Sequence, residues 1–170
     1  MRSFALYWTL LLGAVLTGCA GYKLGPTNGV SAGARSVQVV PFQNHTVEPR
    51  LIDALSTALR RGILQDGTYR LDTQGDGDVI LTGIITKFDR QGVSFQPNDI
   101  VTVRDYYLTL WVRITAKERG TGKVLVDRDV SGRATIRVGN DQTSAERQAV
   151  STLADDIARK ATSLLADGTW

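Results

Sequence analysis

The sequence is poor in the residues that carry catalysis and metal binding. It has one cysteine, Cys19, and one histidine, His45. An internal disulfide is therefore excluded, and a Cys/His metal cluster cannot be assembled. His45 falls in a turn-like stretch, Gln43-Asn44-His45-Thr46, and no serine or cysteine nucleophile motif accompanies it. Phosphate loops are missing too: Gly75-Asp76-Gly77-Asp78-Val79-Ile80 has Ile80 where a dinucleotide loop needs its third glycine, and strand-forming residues follow. Asp72, Asp76 and Asp78 lack the alternation and terminal glutamate of a calcium loop. Charge of one sign is scarce as well, since a net +3 over 170 residues is too weak to point to nucleic acid. No apolar run reaches the roughly 20 residues that span a bilayer. These absences leave a non-enzyme without metal or cofactor.

What is present begins at the amino terminus. Arg2 precedes an apolar stretch from Phe4 to Val15, and small residues follow it, which is the layout of an export signal. Leu16-Thr17-Gly18-Cys19 then resembles the lipobox of bacterial lipoproteins. That resemblance implies a signal peptide over residues 1–18, a diacylglyceryl group on the Cys19 thiol, cleavage before it and fatty acylation (palmitate) of the new amine. A thiolate is the strongest nucleophile available for attack on a lipid donor. At about 0.8 kcal/mol per buried methylene, several acyl chains give a lasting membrane anchor. Ala20, rather than an aspartate, follows the cysteine and resembles the sorting signal for the outer membrane.

Residues 19–35, rich in Gly, Ala, Ser, Pro and Asn, read as a lipidated flexible tether. Residues 36–170 read as a single domain of a size that supports its own core. Ser36 to Phe42 is a β-branched strand ended by Pro41. A helix follows from Pro49, with Leu51, Ile52, Leu55, Leu59 and Ile63 on one stripe and a stop at Asp66-Gly67. Tyr69 to Leu71 is at most a short strand. Three longer strands are expected over Asp78–Asp89, Val101–Lys117 and Lys123–Val138, the last two joined as a hairpin by Glu118-Arg119-Gly120-Thr121-Gly122. In the middle strand Tyr106, Leu108, Leu110, Val112, Ile114 and Ala116 alternate with Tyr107, Thr109, Trp111, Arg113 and Thr115. In the last, Val124, Val126, Val130, Ala134, Ile136 and Val138 share the apolar face. Thr143-Ser144-Ala145-Glu146 fits a capping box before a closing helix striped by Ala149, Val150, Leu153, Ile157, Ala161 and Leu165. One apolar sheet face and two amphipathic helices predict an α+β fold: two helices packed on one face of a four-stranded mixed, mostly antiparallel sheet.

The mature chain resembles the LPS-assembly lipoprotein family, LptE. The resemblance is carried by Gly18-Cys19-Ala20-Gly21-Tyr22, by Val39 to Thr46 (VVPFQNHT), by Ile52-Asp53-Ala54-Leu55 with Arg60-Arg61, by Asp78 to Ile85 (DVILTGII) and by Thr121-Gly122-Lys123-Val124-Leu125. It implies an outer-membrane lipoprotein that sits inside the β-barrel of the LPS translocon LptD and assists its assembly and the insertion of lipopolysaccharide. The residues themselves also leave open an envelope lipoprotein that regulates a peptidoglycan enzyme or a secretion channel. Tyr107 and Trp111, on the outward face of the middle strand, are interface candidates, or else scattered surface aromatics. Arg90, Arg104, Arg113, Arg133 and Arg137 lie on or near the long strands. They suit the phosphates and carboxylates of an LPS headgroup, or else form a solvated face paired with Asp127 and Asp129.

Overall fold

The computed structural model describes residues 31–96, 99–137 and 142–167, with side chains over 31–94, 105–137 and 144–167. The expected signal peptide, the expected lipobox with Cys19 and most of the expected tether lie outside the described residues, as does the side chain of Arg104. The elements run β1 (Arg35–Val39), β2 (Gln43–Asn44), α1 (Arg50–Asp66), β3 (Tyr69–Asp72), β4 (Val79–Gln96), β5 (Asp99–Glu118), β6 (Val124–Arg137) and α2 (Gln142–Asp167).

The architecture is the expected α+β one, with two helices and a mixed sheet, but the sheet has six strands rather than four. Its order is β3-β1-β4-β5-β6, with β2 also paired to β4. β1 lies parallel to both β3 and β4, β2 is parallel to β4, and the long β4-β5-β6 meander is antiparallel. The two extra strands are two and four residues long, too short to carry a periodic signature. They exist through pairing with β4 and β1. Pro41, which has no N–H to donate, separates β1 from β2: Val40 N donates to Leu81 O, and the ladder resumes at Gln43.

Local chemistry fixes the first helix. Pro49 sits at its start with φ −66°, and Gly67 ends it in the left-handed region at φ +73°, its N–H donating to Ile63 O. The closing helix starts at Gln142, ahead of Thr143, so the expected cap lies inside its first turn, and Glu146 is engaged by Arg90 from β4.

Both helices bury their stripes on one sheet face. Leu51, Leu55, Leu59 and Ile63 of α1 are buried, as are Leu153, Ile157, Ala161 and Leu165 of α2. Beneath them lie Leu81 and Ile85 of β4, Leu108, Leu110, Val112 and Ile114 of β5, and Ala134 and Ile136 of β6. Each large aliphatic side chain so covered contributes about 1.5–3 kcal/mol. The alternation in β5 is as read from the sequence. That of β6 is not: a bulge between Ala116 and Lys117 shifts the register, leaving Val124 48% exposed and Leu125 buried. Val138 lies outside the described residues.

Two glycines set how closely the layers approach. A Cβ on Gly83 would lie 2.4 Å from the Phe42 ring, and one on Gly132 would lie 3.3 Å from Leu153 O and from the Ile157 side chain. Phe42 therefore covers β4 as a flat plate, and α2 rests directly on β6.

Candidate functional site: the uncovered sheet face

The helices cover one face of the sheet. Among the described residues no element packs on the other face, where the candidate interface residues gather. A bulge between Ile85 and Lys87 shifts the alternation along β4. Ile85 thus faces the core opposite Val112, and Lys87 faces outward opposite Trp111. Simple alternation puts Lys87 inside, so its role is not legible from the local pattern. Its Nζ stands 4.9 Å from the centroid of the Trp111 ring. Four residues along β5, Tyr107 is 37% exposed, and the Arg133 guanidinium lies 5.5 Å from its ring centroid. Cations over ring faces hold both aromatics upright on an otherwise polar surface. Trp111 is half-buried by its neighbours.

Around this aromatic pair the charges are largely matched. Arg113 donates to both carboxylate oxygens of Asp127, at 2.9 and 2.7 Å, and Thr115 Oγ1 donates to the same group. Arg137 Nε donates to Asp105 at 2.9 Å, and Lys87 pairs with Asp89 at 3.6 Å. The hydrogen bond from Arg113 holds the Asp127 carboxyl below its ordinary value.

The structure therefore brings Tyr107, Trp111, Arg113, Arg133 and Arg137 onto one face. Arg90 is elsewhere. It points to the helix side, contacting Glu146 at 3.3 Å and Glu48 at 3.7 Å and lying over Phe88. From there it ties the starts of both helices to β4. The paired-face reading holds for Arg113 with Asp127, whereas Arg133 rests on a ring rather than a carboxylate.

Glu48, which is largely covered, accepts from Arg50 at 2.7 Å and also faces Arg90. The Arg50 hydrogen bond leads in holding its carboxyl below the ordinary 4.5. A carboxyl depressed by folding adds stability that is full above its unfolded value and lost as pH falls through the folded one. Glu48, Asp78 and Glu118 all shift this way, Asp78 through the Ser36 N–H and hydroxyl and Glu118 chiefly through the Thr121 hydroxyl. Stability is thus expected to hold from neutrality down to about pH 4.5 and to fall below it. The Glu48→Gln variant should fall less steeply in urea titrations run at pH 3–5; an unchanged slope would remove Glu48 from the account.

Among the described residues no group of three His, Cys, Asp or Glu is placed to hold a metal, and no helix is long and apolar enough to cross a membrane. His45 is exposed in the turn between β2 and α1.

The model of a lipopolysaccharide-assembly family, LptE, matches residues 34–164. No curated protein matches the sequence significantly. Among solved structures, a Xanthomonas campestris protein of the DUF330 family is similar at TM-score 0.63 and 10% identity, covering 86% of this chain and 91% of that one. A minor lipoprotein from Acinetobacter baumannii is similar at TM-score 0.52 and 14% identity, covering 78% and 92%. Lipoprotein B from Nitrosomonas europaea is similar at TM-score 0.52 and 12% identity, covering 87% and 94%. At such identities the likeness shows a shared fold.

Proposed function

This chain belongs to the LptE family of lipopolysaccharide-assembly proteins, and on that premise we propose that it is an outer-membrane lipoprotein, anchored through Cys19, that binds inside the β-barrel of the LPS translocon LptD. There it assists barrel assembly and lipopolysaccharide insertion. Its role is non-catalytic.

The observation that supports this reading is the uncovered sheet face. The core is complete without the face, since both helices already bury the opposite one. Aromatic side chains on a polar surface are the residues that most often anchor a protein partner. Trp111 and Tyr107, each held by a cation, fit that description. Matched pairs such as Arg113–Asp127 carry little net charge and suit a polar rim. For direct LPS contact, Arg133 is the strongest of the four arginines whose side chains are described, because its charge lies over a ring rather than on a carboxylate.

A site-specific crosslink tests the docking surface. A photoreactive residue at Thr109, between Tyr107 and Trp111 on the outer face, should capture the barrel in intact cells. The same group at Leu64, exposed on α1, should not. Capture from Leu64 and not from Thr109 would move the interface to the helices.

A further inference from the structure

The sheet ends at β6, whose outer side pairs with no other strand among the described residues. One contact fixes which backbone groups point off that edge: Lys160 Nζ donates to Ser131 O at 2.5 Å. In an antiparallel ladder the N–H and C=O of a residue point to the same side, and every second residue repeats the direction. Asp129, Ser131 and Arg133 therefore offer N–H and C=O to the open edge. Beside this edge runs a groove of about 580 Å³ between β6 and α2, lined among others by Arg128, Val130, Lys160 and Leu164. An exposed strand edge next to a helix is the arrangement in which an extended segment adds as a further strand.

We propose that β6 and α2 form an acceptor for an extended polypeptide segment added antiparallel to β6, with an acidic residue first and a basic residue four positions later. Charge on the page selects that pattern. Along the outer face of β6, Asp127 and Asp129 come first and Arg133 and Arg137 follow. Asp127 and Arg137 are already bound to Arg113 and Asp105. Asp129, across from Arg113 on β5, and Arg133 form no salt bridge among the described residues, and they flank Ser131 symmetrically. An antiparallel strand sets its earlier residue opposite Arg133 and its later one opposite Asp129, so the segment reads acidic, small or apolar, any, small or apolar, basic. Its two inner residues fall opposite Gly132 and Val130, and the groove lined by Val130 and Leu164 leaves room for the second of them. The Ser131 carbonyl keeps a second lone pair while Lys160 holds the first. The strand edge borders the aromatic face and shares Arg133 with it, so peptide binding is read with no barrel present, apart from barrel retention.

Two fluorescent ten-residue peptides test it against the intact chain in detergent. One centres on Glu-Val-Ser-Val-Lys and the other on the reversed-charge Lys-Val-Ser-Val-Glu. The first should bind at least tenfold more tightly, and the Asp129→Arg/Arg133→Asp double variant, folded by circular dichroism, should reverse the preference. Failure of both peptides to bind, equal binding, or a preference unchanged in the double variant would overturn the proposal. A concentration-dependent dimer that excludes both peptides would overturn it in favour of a second copy on the same edge.

Discussion

Gly83→Val is expected to cost the domain about 3 kcal/mol, enough to remove a large part of the 5–15 kcal/mol by which such domains are stable. The reason is geometric. The first side-chain carbon at this position would meet three atoms of the Phe42 ring at 2.4–2.8 Å. Phe42 is 3% exposed and is held in place from both sides, by β1 before Pro41 and by β2 after it. The ring cannot slide along the strand, so it must leave the core or push β4 away. Urea unfolding should show a lower midpoint with an unchanged slope. Gly120→Ala is the control, because open space surrounds that position in the turn. Adding Phe42→Ala to Gly83→Val should cost less than the sum of the single changes, since the two act on one contact. Full additivity would mean that the strain lies elsewhere.

Trp111→Ala should act on the partner rather than the fold. Trp111 lies outside the helix-covered core, so thermal unfolding should shift little. If the outer face is the docking surface, losing a central tryptophan should weaken the barrel complex by about 2–3 kcal/mol, a loss of roughly 30–150-fold in affinity. Tyr107→Ala should cost less, because the ring stands nearer the rim and is more open. Lys87→Ala should act in the same direction by releasing the Trp111 ring. The readout is the amount of barrel retained on the tagged variants at matched expression. A Trp111→Ala protein that unfolds normally and retains the barrel at wild-type level would remove this face from the interface.

Much of the fold was legible because it is written in short-range periodicity. The stripe from Leu51 to Ile63, the Gly67 stop and the alternation from Tyr106 to Ala116 each need only the local chain. What was missed depends on pairing between distant segments. β2 forms because β4 offers an open edge, and nothing within Gln43–Asn44 announces it, whereas the short strand read at Tyr69–Leu71 is present as β3, paired with β1. The two bulges have the same character: each changes which residue faces inward, turning Lys87 and Val124 outward against the simple alternation. Of the candidate site, Tyr107 and Trp111 were legible as outward aromatics, but their cation partners were not. Arg90 resembled its strand neighbours in sequence, yet it lies past the first bulge and faces the glutamates at the two helix starts. The function rests on the family match over residues 34–164, to which periodicity contributes only a compatible surface.

The most direct test of the central claim is affinity purification of the tagged full-length chain from detergent-solubilised envelopes, with mass spectrometry of what accompanies it. A large outer-membrane barrel of the LPS-translocon type is expected at about one copy per chain, lost when Trp111 is replaced. Recovery of a peptidoglycan synthase or a secretion ring in its place, with no such barrel, would contradict it.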